Sequence, residues 1–360
     1  MRISIPILQT IRQTCTLLAV SCVFAAYGEE TIIPPVDGDE TRSTGCVLPP
    51  ALHAGDKVAL LAPSYFWSKE KVAGAVNVVR SWGLEPVLGQ NVDKEYVGKY
   101  AGTPEQRLAD LRWALSDPEV KAIICLRGGY GAIHMIPSLR SEELSAQPKW
   151  LVGFSDITTL HSLEVCAGVM SIHGSITALV NNPDQWSTSA MLVHDLLMGQ
   201  VPRYVMPAHP FNQKGRAKGM LVGGNLCSFS PLAGSGFDFT ECDDIILFIE
   251  EVGETMHNID RLFNMLRLRG VLQRVKGIIL GDFTDCDLEF TYGSVEEMLH
   301  QYLKDLPIPV ACGFPGGHGK VNLPLVMGAP VTLNVDGSGA TLTFDIKGEQ
   351  KTIPTAEQVR

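Results

Sequence analysis

The stretch KWLVGFSD, residues 149–156, decides how the rest of the chain is read. Its Trp-Leu-Val centre has the composition of a buried strand. It breaks off in Gly-Phe-Ser-Asp just before the helically spaced ITTLHSLEVCAG (157–168). A strand that turns straight into a helix is half of a βαβ unit, which implies a parallel sheet with helices on its faces. The same turn leaves two readings of Ser155. It is a helix cap, a position serine favours, or it is a nucleophile raised at the end of a strand. The G-x-S-x-G elbow pattern is broken, because Ile157 stands where the second glycine belongs.

The alternation continues on both sides of this stretch. KVALLAP (57–63) is a strand, SKEKVAGAVNVVRSWG (68–83) a helix stopped at Gly83, and EPVLG (85–89) a second strand. In TPEQRLADLRWALSD (103–117) Thr103, Pro104 and Gln106 form a capping-box start. VKAIICLRGGYGA (120–132) is a strand followed by a glycine turn. VMSIHGS (169–175) is a fifth strand, and STSAMLVHDLLMG (187–199) closes this half with a helix. A ligand site on such a sheet belongs at the carboxyl ends of its strands.

Beyond residue 200 strands dominate, with helices near 226–233, 257–269 and 294–305. The expected fold class is α/β: a parallel-sheet amino-terminal domain followed by a β-rich, α+β carboxy-terminal domain. The expected divisions are an α/β domain at 51–200, a linker at 201–218 that has room for a strand, a β-rich domain at 219–350 and a tail at 351–360.

The amino terminus is different. Arg2 and Arg12 precede the apolar TLLAVSCVFAAYG (16–28), and Ala26-Tyr27-Gly28 suits a signal peptidase. Residues 1–28 are therefore read as a signal peptide, the leader, with an uncleaved anchor as the competing reading, and 29–50 as a flexible, Pro-rich mature amino terminus. Export, to the periplasm, is the expectation. The chain carries a formal charge of −10. Loss of the leader removes two arginines and no acid, giving −12 and arguing against a nucleic-acid partner. Seven of the nine cysteines remain, without C-x-x-C spacing, and read as buried thiols. No cofactor or metal is expected, since no ligand spacing such as H-E-x-x-H occurs.

Three further segments carry candidate chemistry. The turn in LRGGYGA (126–132) leaves amides free to meet an oxyanion, or serves only as clearance. In LFIEEVGE (247–254), Glu250 and Glu251 end a strand and point to opposite faces. In GFPGGHGKVNLP (313–324), His318 sits among glycines. His173 is its strongest rival. His161 lies on the helix after Ser155, facing away from it, and His53, His209 and His300 stand in segments without other catalytic signs.

These segments occur together in an order that resembles the LD-carboxypeptidase family of serine peptidases, over roughly residues 50–345. The resemblance implies a flavodoxin-like first domain and a triad of Ser155, Glu250 and His318. It implies an oxyanion hole from the amides of Asp156 and Gly129, with Gly128 as neighbour. It implies hydrolysis of the bond between a diamino acid's L-centre and a terminal D-Ala in murein tetrapeptides. Two alternatives remain open: the family's microcin-C immunity branch, which cleaves peptidyl-nucleotides, and an inactive murein-peptide-binding protein. A homodimer and the absence of a membrane span after signal cleavage complete the expectations.

Overall fold

The computed structural model describes residues 45–181, 188–288 and 292–355. The segment 1–28 expected to be a signal peptide, the segment up to residue 44 expected to be flexible, and the last five residues lie outside them. The first sheet contains β1 (Lys57–Leu61), β2 (Glu85–Leu88), β3 (Val120–Cys125), β4 (Trp150–Gly153) and β5 (Ser171–His173). These strands are parallel and run in the order β2-β1-β3-β4-β5, the doubly wound order of flavodoxin-like folds. Strands β1, β3 and β4 are buried along nearly their whole length. This is why they read as unbroken apolar runs rather than as alternating ones.

The covering helices start where the sequence says they should. Ser68 caps α1 (Lys69–Ser81), and Thr103 and Gln106 make a complete capping box on α2 (Pro104–Ser116). Lys149 explains how KWLVGFSD is anchored. Its buried ammonium donates to the carbonyls of Ala114 at 2.7 Å and Asp117 at 2.5 Å, closing the carboxyl end of α2 beside the start of β4. Helix α3 (Thr158–Cys166) follows the serine turn, and α4 (Thr188–Leu197) ends the first half.

The second sheet is built from β6 (Gln200–Pro207), β7 (Gly215–Asn225), β8 (Ile245–Val252), β9 (Val275–Thr284) and β10 (Val310–Cys312), later joined by three more strands. Helices α5 (Met256–Leu268) and α6 (Val295–Leu303) link β8 to β9 and β9 to β10. The short β11 (Leu325–Met327) crosses over and pairs antiparallel with β5 in the first sheet. Strands β12 (Pro330–Val335), β13 (Gly339–Phe344) and β14 (Glu349–Pro354) complete the order β10-β9-β8-β7-β12-β13-β6-β14.

Three boundaries differ from the sequence reading. The expected linker 201–218 consists mostly of strand, because β6 and the start of β7 lie within it. The expected tail at 351–360 starts inside β14, which pairs in parallel with β6. Val47, within the segment expected to be flexible, donates to Gly168 at 2.8 Å and accepts from Met170 at 3.0 Å. In each case the Pro, Gly and charged residues that suggested loop are tolerated because sheet pairing and packing supply the order that local propensity lacks.

Helix α3 is buried along almost its full length because it lies between the two sheets. Contact there is close: a Cβ on Gly224 would stand 2.5 Å from Thr158 Oγ1, and the Asn225 amide donates to that hydroxyl at 3.1 Å. Asn225 is also the β7 neighbour of Glu250 on β8. The start of the helix after Ser155 is thereby keyed to the strand that carries the glutamates.

Candidate active site

Ser155 is held in a conformation that serine does not choose. Phe154 is fully extended, and Ser155 then takes φ +62°, the left-handed region, before a single 3-10 turn leads into α3. Such a backbone costs an L-residue about 1–2 kcal/mol and persists only where its surroundings impose it. The clearance that an elbow normally takes from a second glycine comes from elsewhere. A Cβ on Gly153 would meet Ile157 Cγ2 at 2.5 Å, and one on Gly128 would lie 2.9 Å from Ser155 Cβ. Gly153 and Gly128 together make room for both the turn and Ile157, which is buried.

Alternation along β8 settles the choice between the two glutamates. Glu250 is fully buried, and its Oε2 accepts from His318 Nδ1 at 2.7 Å. Its Oε1 is buried without a hydrogen-bond partner among the described residues. Glu251 faces the other way and accepts from Asn225 Nδ2 at 2.7 Å, Cys227 N at 2.8 Å and Val252 N at 2.9 Å. Burial raises its pKa in spite of those three donors, and the charge of Glu250 adds to the rise.

His318 completes the constellation, with Nε2 3.0 Å from Ser155 Oγ. The carboxylate of Glu250 can only accept, so the proton sits on Nδ1 and Nε2 is free to take one from the serine. Gly317, at φ +120°, lets the loop pass so close that a Cβ there would be 2.5 Å from Glu250 Oε2. Burial disfavours a charged His318. The hydrogen bond and charge of Glu250, backed by Glu251 and Asp282, outweigh burial and raise its pKa above the ordinary histidine value.

The remaining sequence candidates fall into place around these three. The Asp156 side chain turns inward and accepts from Ser64 Oγ at 2.5 Å and Ala132 N at 2.8 Å. This ties the serine turn to the end of the glycine turn. Gly129, at φ +116°, is pressed against the Tyr65 ring, and Gly128 lies against Ser155. His173 is buried with neither ring nitrogen bonded among the described residues; its ring lies 6.2 Å from that of Phe154. Burial and the neighbouring His161 and His318 hold its pKa well below the ordinary value. His161 bonds Ser171 Oγ and the Gly153 carbonyl, and burial lowers its pKa to about 4. His209 and His300 both pack on Phe211, and His53 is exposed beside Asp56.

Beside Ser155 opens a cavity of about 360 Å³, lined by Gly129, Tyr130, Thr159, Asn225, Glu251 and Glu254 among others. Asn225 and Glu254 carry no sequence signal of a site, since nothing in their spacing distinguishes a cavity wall from a strand end. Asp282, in the GDF of β9, went unremarked for the same reason. Among the described residues no group of His, Cys, Asp and Glu is arranged to hold a metal ion. No helix among them is long and apolar enough to cross a membrane.

A strained serine at the end of a parallel strand, bonded to a histidine that is bonded in turn to a buried glutamate, has the arrangement that serine hydrolases use, here on a flavodoxin-like sheet. Residues 58–174 match the model of the LD-carboxypeptidase N-terminal domain, and residues 218–333 match that of the C-terminal domain. A Synechocystis sp. protein, named for its class as a carboxypeptidase, is 36% identical over 305 residues, 82% of this chain and 96% of its own. The murein tetrapeptide carboxypeptidase of Pseudomonas aeruginosa is 32% identical over 275 residues, 74% of this chain and 89% of its own. The crystal structure of muramoyltetrapeptide carboxypeptidase from Oxalobacter formigenes superposes with a TM-score of 0.74 at 25% identity, covering 81% of this chain and 99% of that one. The chain belongs to the LD-carboxypeptidase family and is a serine-type carboxypeptidase.

Proposed function

We propose that the protein hydrolyses the L,D-peptide bond that joins a diamino acid to the terminal D-Ala of murein tetrapeptides. The observation that carries the proposal is the imidazole of His318, which spans Ser155 Oγ and Glu250 Oε2 at 3.0 and 2.7 Å. Ser155 attacks the scissile carbonyl while its proton passes to His318 Nε2, and Glu250 holds the tautomer and stabilises the imidazolium. The amides of Asp156 and Gly129, with Gly128 adjoining, receive the oxyanion of the tetrahedral intermediate. His318 then returns the proton to the nitrogen of D-Ala, which leaves. Water, activated by the same imidazole, frees the acyl group from Ser155.

The lining of the cavity supports a diamino acid on the acyl side. Glu251 and Glu254 stand in its wall, and carboxylates there suit an ammonium arm better than an acidic side chain. In this reading the half at 51–200 supplies the nucleophile and the half at 219–350 supplies Glu250 and His318. The leader at 1–28 exports the chain, so the reaction takes place in the periplasm.

Purified protein incubated with murein tetrapeptide should release D-Ala, detected by mass spectrometry, and Ser155→Ala should abolish the release. An inert tetrapeptide alongside cleavage of a peptidyl-nucleotide would move the protein to the immunity branch. Tetrapeptide binding without any cleavage would make it a binding protein.

A further inference from the structure

Strand β9 does not run in even register with β8. Ile249 pairs with Leu280 but Glu251 pairs with Phe283, so Gly281 and Asp282 together face Glu250. This is a β-bulge, and a bulge re-aims a side chain. In even register Asp282 would oppose Glu251 and share its face. The extra residue turns it instead toward the side of Glu250 and the His318 loop.

The loop lies directly on this bulge. The Asp282 amide donates to the Gly316 carbonyl at 3.0 Å, two residues before His318. One residue after it, Gly319 comes so close that a Cβ would stand 2.4 Å from Asp282 Oδ2. His318 is thus bracketed by a backbone contact and a side-chain contact with the same residue. Oδ2 is buried and has no hydrogen-bond partner among the described residues. An idle buried carboxylate oxygen costs stability unless something is gained from it.

We propose that Asp282 is a positioning residue for the catalytic imidazole: it clamps the His318 loop and supplies a second negative charge behind Glu250. This rests on the triad reading above. The charged groups that act on the bulged carboxylate are Glu250, Glu296 and His318, and the Gly319 backbone lies against it. Burial, reinforced by Glu250 and Glu296, pushes Asp282 up to about 7, while Gly319 and His318 oppose the rise. Asp282 therefore changes charge in the range where His318 must be neutral to act as base. The working form has His318 neutral and Asp282 ionised, so two protons must leave on the acid side.

The test is the pH dependence of kcat/KM for D-Ala release from tetrapeptide by wild type, Asp282→Asn and Asp282→Ala. Wild type should show an acid limb steeper than one proton. Asp282→Asn keeps an acceptor for Gly319 without the charge. Its limb should fall to a single proton, its midpoint should move down by about 0.5–1 pH unit, and kcat should drop roughly 10-fold or more with little change in KM. Asp282→Ala should lose more kcat. An unchanged slope and midpoint in Asp282→Asn overturns the proposal, even if stability falls. Should the variants not fold, the His318 ring nitrogens of wild type, followed by NMR, should titrate in two steps. One step overturns it. Failure of the triad reading would show separately, as turnover surviving in Ser155→Ala.

Discussion

Ser155→Ala and Ser155→Gly remove the same hydroxyl but treat the backbone differently, and the comparison tests whether strain is stored at the nucleophile. At φ +62° an alanine pays the left-handed cost of about 1–2 kcal/mol that serine pays, whereas glycine pays almost none. Glycine gives back about 0.5–1 kcal/mol through the freedom it gains in the unfolded chain. Both variants lose the bond to His318, so that contribution cancels in the comparison. The glycine variant should therefore be more stable by roughly 0.5–1 kcal/mol, which in a domain of this size raises Tm by about 1–3 °C. Turnover should fall on the order of a million-fold in both, as it does when a serine nucleophile is removed. Calorimetry and D-Ala release on the same preparations give the two readouts. An alanine variant at least as stable as the glycine one refutes the strain argument. More than about 1% residual turnover in either variant would falsify Ser155 as the nucleophile.

Glu250→Gln should lower kcat by about 10²–10⁴ with KM nearly unchanged, because an amide can present the wrong group to Nδ1 and release the tautomer. For His318, catalysis and stability should depend on pH in opposite directions. Its raised pKa means that activity disappears as pH falls through the folded value. The stability from its protonated pairing with Glu250 is full below the unfolded value and is lost as pH rises through the folded one. Thermal melts and kcat/KM across pH 5–9 should show the two trends crossing. Glu164 is fully buried on α3, and burial raises its pKa well above the ordinary value. Its contribution is present below the unfolded carboxylate pKa and is lost as pH rises, so Glu164→Gln should raise stability at pH 8 by on the order of 1–3 kcal/mol. An equal or lower melting temperature for that variant would show that the carboxyl group has a partner worth more than its burial costs. His173→Phe should flatten the acid side of the stability curve. The depressed pKa of His173 makes wild type lose about 1.4 kcal/mol per pH unit as pH drops below the unfolded histidine value.

The helix starts were readable because capping is a local matter: Ser68 and Thr103 each act on an amide three residues away. The parallel strands were readable because burial on both faces leaves an unbroken apolar run. Segments 201–218, expected as a linker with room for a strand, and 351–354, expected as tail, owe their strand character to partners far along the chain, β6 pairing with β13 and β14. Within KWLVGFSD alone Ser155 stood open between cap and nucleophile, and the resemblance across the chain is what implied the nucleophile. Cap and nucleophile look alike in eight residues, and Gly128, which together with Gly153 makes room for the turn, lies 27 positions before Ser155.

By itself the sequence determined the order of strands and helices, the capped helix ends, and the alternation that sends Glu250 and Glu251 to opposite faces. These follow from the periodicities of the backbone, which are fixed within a few residues. The resemblance implied Glu250 and His318, but only the tertiary structure decided that these two side chains meet and that Asp282 is turned beneath the His318 loop. Those outcomes depend on a bulge in one sheet and on Gly224 letting that sheet close on the helix of the other. Such contacts span up to 163 residues, from Ser155 to His318, and no local preference encodes them.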